Sequence, residues 1–291
     1  MKAASFEYVA ATTLDEAVAM IGDRGDEAKV LAGGQSLVPL MVMRLARPEV
    51  LIDINGIGGL DHVRVEDRVL RIGALARQRV VELDPGVTTH FPLVTDAVST
   101  IGHVAIRNRG TVGGSIAHAD PAAEWPALLM ALDGEVDLVS SRGRRTLGAD
   151  DLFLSVMTTA LAPDELILEV RLRLPSGQVG TSFVELARRH GDFAIVGVAA
   201  VLGLEGGVVQ HCRLALSGVG ETAVRARAAE SALVGGLGDD ARFALAAQAV
   251  ADEIQPPGDL QGSADYRRKV ASVLVRRALV AARGRIREGR A

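Results

Sequence analysis

Two glycine pairs set among small polar residues constrain this chain more than any other feature: Ala32-Gly33-Gly34-Gln35-Ser36-Leu37 and Thr111-Val112-Gly113-Gly114-Ser115. Glycine lacks the Cβ that holds a ligand away from the backbone, and it permits positive φ, so successive N–H groups can converge on an anion. The first pair follows Lys29-Val30-Leu31-Ala32, which reads as a short buried strand, and Gln35 and Ser36 add polar contacts. The second follows Ile106-Arg107-Asn108-Arg109-Gly110 and reads as a loop, with two cations near its glycines and hydroxyls on Thr111 and Ser115. Each segment alone is equally a tight turn, because glycine is a common turn residue. Two on one chain suit a pyrophosphate contacted from both sides.

Downstream of the second pair, Ala117-His118-Ala119-Asp120-Pro121 leads to Glu124. Carboxylates here can accept hydrogen bonds from ribose hydroxyls, as acids do in other dinucleotide sites. Asp120 is alternatively a helix N-cap before Pro121, and His118 a packed loop histidine. A third glycine group, Gly218-Val219-Gly220-Glu221-Thr222-Ala223, fits a GxGxxA pattern. That fingerprint needs a crossover to another parallel strand. Only helical segments follow, so the stretch reads as a loop with a helix start.

Cysteine usage removes several chemistries. The lone thiol, Cys212, allows no intrachain disulfide and no iron–sulfur cluster held by four cysteines, and it reads as a core residue. Six scattered histidines form no structural zinc pattern. A net charge of −4 does not suggest nucleic-acid binding, which favours a basic face. No apolar run reaches the ~18 residues needed to span a bilayer, and the start lacks a signal-peptide core. These features predict a cytoplasmic protein without a transmembrane segment.

Along the chain, Thr13 caps a helix that Gly22 and Gly25 end, and 50–54 forms a strand stopped by Asn55-Gly56. Alternation over 62–66 and 68–72 predicts a hairpin, 75–83 and 91–101 helices, and 121–132 a helix with proline in its first turn. A hairpin turns at Arg142-Gly143, and a strand over 165–174 ends at Pro175. Asp150-Asp151 and Asp239-Asp240 read as helix starts. Strands at 180–188, 196–204 and 208–216 precede helices at 222–233, 240–254 and 264–282. The predicted organisation is a domain over 1–177, with lobes at about 1–56 and 57–177, and an α+β domain over 178–291. The arginine-rich tail from Tyr266 to Arg290 reads as a solvated helix face with a frayed end, with docking to an acidic partner as the alternative.

These motifs, in this order and spacing, resemble the FAD-binding medium subunit of molybdenum-containing hydroxylases, the carbon monoxide dehydrogenase and xanthine dehydrogenase group. The resemblance spans the chain and is strongest over Ala32 to Met41, Arg44 to Asp53 and Arg107 to Pro126. Ala187-Arg188-Arg189-His190-Gly191-Asp192-Phe193-Ala194 adds weaker support. It implies an α+β fold: a vanillyl-alcohol-oxidase-like (PCMH-type) two-lobed FAD domain, then a smaller α+β C-terminal domain. It also implies noncovalent FAD at Ala32, Gly33, Gly34, Gln35, Ser36 and Leu37, with Thr111, Val112, Gly113, Gly114 and Ser115 opposite. Ala117 and Asp120 fall in the same stretch, Glu124 at the adenosine part, and Leu161 and Ile101 against the cofactor. Some members carry a lysine near the position of Val184 or Glu185, which this chain lacks.

The resemblance further implies a large molybdopterin subunit and a small subunit with two 2Fe-2S clusters, arranged as a dimer of heterotrimers. The FAD accepts electrons from those clusters and passes them to an external acceptor, so no catalytic acid or base is expected here. A self-contained flavin oxidase or reductase, and an FAD-less scaffold, are the alternatives. Gln35 stands where carbon monoxide dehydrogenases are associated with histidine, so carbon monoxide is not assigned as substrate.

Overall fold

The computed structural model describes residues 2–286. The chain begins with β1 (Glu7–Ala10), α1 (Leu14–Arg24), β2 (Ala28–Leu31), α2 (Leu37–Val42) and β3 (Val50–Asp53). The Thr13 hydroxyl caps α1 by accepting from Glu16 N–H at 3.2 Å, and Gly25 closes the helix at φ 51°. Gly22, expected to help end this helix, lies inside it. The three strands form a parallel sheet in the order β1-β3-β2. Each helix is the crossover that a parallel pair requires. β1 gives no periodic signal because it is a four-residue, mostly exposed edge strand.

The middle of the chain supplies β4 (Val63–Glu66), β5 (Val69–Gly73), α3 (Gln78–Leu83), α4 (Pro85–His90), α5 (Pro92–Thr100), α6 (Val104–Arg107), α7 (Val112–His118) and α8 (Glu124–Ala131). After them come β6 (Glu135–Ser140), β7 (Gly143–Gly148), α9 (Ala149–Leu152), β8 (Phe153–Ser155), β9 (Thr158–Thr159) and β10 (Leu166–Arg173). Both expected hairpins form, and β10 joins them into an antiparallel sheet ordered β4-β5-β10-β6-β7. Leu70, Ile72, Val136, Leu138, Val170 and Leu172 line its buried face, packing with Phe91, Leu93, Trp125 and Leu128 from the helices. α8 starts at Glu124, not Pro121, because Asp120 through Ala123 form a turn.

The third unit contains β11 (Val179–Ala187), β12 (Ala194–Glu205), β13 (Val208–Ser217) and β14 (Val224–Arg225), then α10 (Arg227–Leu233), α11 (Asp240–Glu253) and α12 (Ala264–Gly284). Its antiparallel sheet runs β11-β12-β13-β14. β12 is buried on both faces. Val196, Val198, Ala200 and Leu202 pack with the C-terminal helices, whereas Ala199 and Val201 enter the core beneath α5 and α8. This period-two division joins the sheet to the preceding helices.

The Gly218–Ala223 stretch forms the expected loop but not the expected helix start at 222, because β14 follows it and α10 begins only at Arg227. Cys212 is buried against the C-terminal helices, and burial pushes its thiol pKa up to about 12, as an unreactive core thiol requires. The basic tail departs from a wholly solvated face. Arg267 is buried and donates to Gly218 O at 2.9 Å and Asp259 Oδ2 at 2.7 Å. Arg283 lies over the Phe243 ring, and Arg285 pairs with Asp96. Arg287 and Arg290 lie outside the described residues.

Candidate functional site

The first glycine segment leaves β2 and turns into α2. Gly34 adopts φ +70°, a left-handed conformation that a β-branched residue strongly resists. Gln35 braces the turn by donating from Nε2 to Gly33 O at 3.0 Å. Among the described residues, no hydrogen bond uses the N–H of Gly33, Gly34, Gln35 or Ser36. A row of unspent donors on a tight turn is the arrangement that receives phosphate oxygens. Leu37 begins α2, and Ser36 makes no side-chain cap.

The second segment is a helix, not the expected loop. Thr111 is the N-cap of α7, and its hydroxyl accepts from Gly114 N–H at 3.1 Å. Val112 N–H donates to Ala76 O and Gly113 N–H to Ala74 O, at 3.1 and 2.9 Å. Several donors are therefore occupied internally, and the glycines serve packing. A Cβ on Gly113 would lie 2.6 Å from Ala74 Cβ and 2.8 Å from Ala74 O. The expected cations also separate in role. Arg107 is buried and bound to Glu82 at 2.7 Å and Ile101 O at 2.9 Å, while Arg109 is exposed.

The fold brings the two segments into contact. A Cβ on Gly33 would fall 2.5 Å from Arg109 O, 2.8 Å from Gly110 Cα and 3.0 Å from Thr111 N. One on Gly114 would meet Ala32 Cβ at 3.7 Å. Residues almost eighty positions apart thus share one seam between the parallel sheet and the five-stranded sheet. Residues 75–77, expected to open a helix over 75–83, instead precede α3 as a turn and bridge. Segment 74–78 pairs with the second glycine segment through Gln78 N–H to Gly110 O and Val112 N–H to Ala76 O. Its only signal was proximity to the strand over 68–72, since pairing across this distance leaves no local pattern.

The predicted acids lie further along. Asp120 caps no helix; its Oδ1 accepts from Ala122 N–H at 2.9 Å. Glu124 is buried at the start of α8. Burial, followed by the nearby Glu185 and Asp120 charges, raises its carboxyl pKa from 4.5 to about 8. A protonated Glu124 can donate as well as accept a hydrogen bond. Burial also raises Glu185, opposed by a hydrogen bond with Thr100. The Glu185 and Asp120 carboxyls thus both lie close enough to Glu124 to influence it.

Ile101 caps the C-terminal end of α5, and Leu161 follows β9; both pack against the main core. Met157 N–H donates to Ala119 O at 3.2 Å, bringing the β8–β9 hairpin against the end of α7. Ala117 is exposed on α7, and His118 is half-buried in its last turn.

Residues 4–175 match the family described as "FAD binding domain in molybdopterin dehydrogenase", and residues 181–282 match the "CO dehydrogenase flavoprotein C-terminal domain". The chain belongs to the FAD-binding medium subunits of the molybdenum hydroxylases. It is 41% identical to the 6-hydroxypseudooxynicotine dehydrogenase complex subunit alpha of Paenarthrobacter nicotinovorans, covering 99% of this chain and 97% of that one. It superposes with a TM-score of 0.96 on a chain of carbon monoxide dehydrogenase from Hydrogenophaga pseudoflava, 41% identical, covering 99% of this chain and 100% of the other. Quinoline 2-oxidoreductase from Pseudomonas putida 86 gives 0.93 at 35% identity, covering 99% and 100%. The turn at Gly33 and Gly34, with its unspent N–H groups, fits the pyrophosphate of FAD.

Proposed function

We propose that this chain is the flavoprotein subunit of a molybdenum-containing hydroxylase and holds noncovalent FAD across the glycine seam. The observation that carries the reading is the contact of Gly33 with residues 109–111, beside four unspent N–H groups. Gly33, Gly34, Gln35 and Ser36 would bind the pyrophosphate through backbone donors, between Ala32 and Leu37. Thr111, Val112, Gly113, Gly114 and Ser115 would close the opposite side. Contact here comes from the Ser115 hydroxyl and the small profile of Gly114, since Val112 and Gly113 N–H are already occupied. Glu124 would meet the adenosine part, with Ala117 and Asp120 nearby, and Ile101 and Leu161 would exclude water from the cofactor. FAD supplies an electron exchange that the side chains of this chain do not provide.

Electron supply falls to other polypeptides. Among the described residues no His, Cys, Asp and Glu cluster could hold a metal ion, and the sequence has one cysteine. The partners we assign are a large molybdopterin subunit and a small subunit with 2Fe-2S clusters, in a dimer of heterotrimers. Such an assembly would deliver electrons to this chain and discharge them to an external acceptor. Relatives named as complex subunits and medium chains support this assignment. We further assign a vanillyl-alcohol-oxidase-like FAD domain over 1–177, a second domain over 178–291, and a cytoplasmic location. No helix among the described residues is long and apolar enough to cross a membrane.

The test is the visible spectrum of the purified full chain after incubation with FAD and removal of excess. Flavin absorption bands are expected, with no turnover of alcohols, enones or pyridine nucleotides by the chain alone. Absence of the bands contradicts the reading, and turnover without partners favours a self-contained flavin enzyme.

A further inference from the structure

The first glycine segment leaves β2 of the parallel sheet, and the second opens α7, which packs against β5 and β10 of the five-stranded sheet. Their relative placement therefore depends on what joins the two units at the seam. Asn55, at the turn after β3, donates from Nδ2 to Ala32 O at 2.8 Å and to Asp53 Oδ1 at 2.6 Å. This amide holds the entry to the first glycine turn. Asn55 Oδ1 accepts from Arg77 Nη2 at 2.7 Å, and Arg77 Nη1 donates to Arg109 O at 2.5 Å. The Arg77 backbone pairs antiparallel with Thr111, the cap of α7. Arg109 O is also the atom that a Gly33 Cβ would strike first. Tyr8 extends the network by donating to Asp53 Oδ2 at 2.6 Å, so β1 is tied in as well.

We propose that Arg77 and Asn55 form a latch that sets the spacing of the two glycine segments and so preorganises the seam for FAD. The latch rests on the cradle reading above, and both are positioning residues. The forked guanidinium suits the role, because it engages an acceptor on each unit from one planar group. Holding a site in its binding conformation beforehand lowers the ordering cost of ligand association. Asn55 is exposed and Arg77 half-buried, so the latch adds at most modestly to the stability of the FAD-free chain.

FAD dissociation constants of the full chain, read by flavin fluorescence, test this for Arg77→Ala, Asn55→Ala, the double variant, Arg77→Lys and Gly34→Val. Each alanine variant is expected to weaken FAD by about tenfold, the scale of a hydrogen bond to a charged group. The double variant should also lose about tenfold, not a hundredfold, because both changes break one link. Arg77→Lys keeps the charge but lacks the fork, so it should match Arg77→Ala. A wild-type constant in Arg77→Lys would make charge alone sufficient and overturn the latch. So would full additivity in the double variant, or a lowered melting temperature with unchanged FAD affinity in the alanine variants. Wild-type binding by Gly34→Val would instead remove the cradle reading on which the latch stands.

Discussion

Gly34 is required for one reason, and Gly33 and Gly113 for another. Gly34 is needed for its φ of +70°, whereas Gly33 and Gly113 are needed because a Cβ would collide with backbone across a seam. Valine at Gly34 adds both strain and contact, since a Cβ there already meets Leu31 Cδ1 at 3.0 Å. Gly34→Val should abolish FAD retention while leaving far-ultraviolet circular dichroism close to wild type. Flavin content after gel filtration checks this, and wild-type content would refute the role of the turn.

Glu124 gives a prediction of another kind. Its folded pKa of about 8 lies above the ordinary 4.5, so the native state keeps a proton that the unfolded chain releases. Stability associated with this group is therefore full below the unfolded value and declines as pH rises toward the folded one. In the FAD-free chain, Glu124→Gln should gain on wild type between about pH 5 and 8, by at most a few kcal/mol. Urea titrations at several pH values measure the difference; a constant difference across that range would contradict a buried, protonated Glu124.

Among the elements, α3, α6 and the end of α5 meet through one buried ion pair. Arg107 on α6 binds Glu82 on α3, and donates to Ile101 O and Gly102 O at 2.9 and 3.2 Å. Removing Arg107 leaves Glu82 with only Arg79, at 2.8 Å, and strips the Ile101 and Gly102 carbonyls of their buried donor. Arg107→Ala should lower unfolding free energy by about 3 kcal/mol, measurable by urea denaturation. A change within the ~0.5 kcal/mol typical of surface substitutions would contradict the structural role.

The same element scale shows why legibility was uneven. Strand alternation disclosed both hairpins, and Thr13, Gly25 and Pro175 marked boundaries because their effects are local. The helix at 112–118 was hidden because glycine is unfavourable within a helix; its glycines are retained for close contact with Ala74. Arg107 read as a cation serving the glycine segment and Arg267 as surface charge, since sequence carries no mark of the carbonyls and carboxylates that pair with them. The glycine segments themselves were legible, but their mutual contact was not. It depends on a parallel crossover and on the pairing of 74–78 with 110–113, both long-range.

At the scale of the whole molecule, the alternate side chains of β12 feed both the core of the five-stranded sheet and that of the C-terminal helices, while the parallel sheet keeps a core of its own. The C-terminal unit is thereby fixed to the helices that carry Ile101 and Glu124. This arrangement offers a cofactor seam with neither a metal-binding cluster nor a reactive cysteine among the described residues. The chain's membership of the medium-subunit family, whose relatives are named as subunits of dehydrogenase complexes, is what favours a flavin component of a larger enzyme over a self-sufficient catalyst. The measurement that tests this most directly is flavin and metal analysis of the assembly isolated from native cells through a tag on this chain. The expected result is one FAD per chain, accompanied by molybdenum and by about four iron atoms, as two 2Fe-2S clusters require. An FAD-bearing chain that isolates without iron or molybdenum and turns over substrate alone would contradict it.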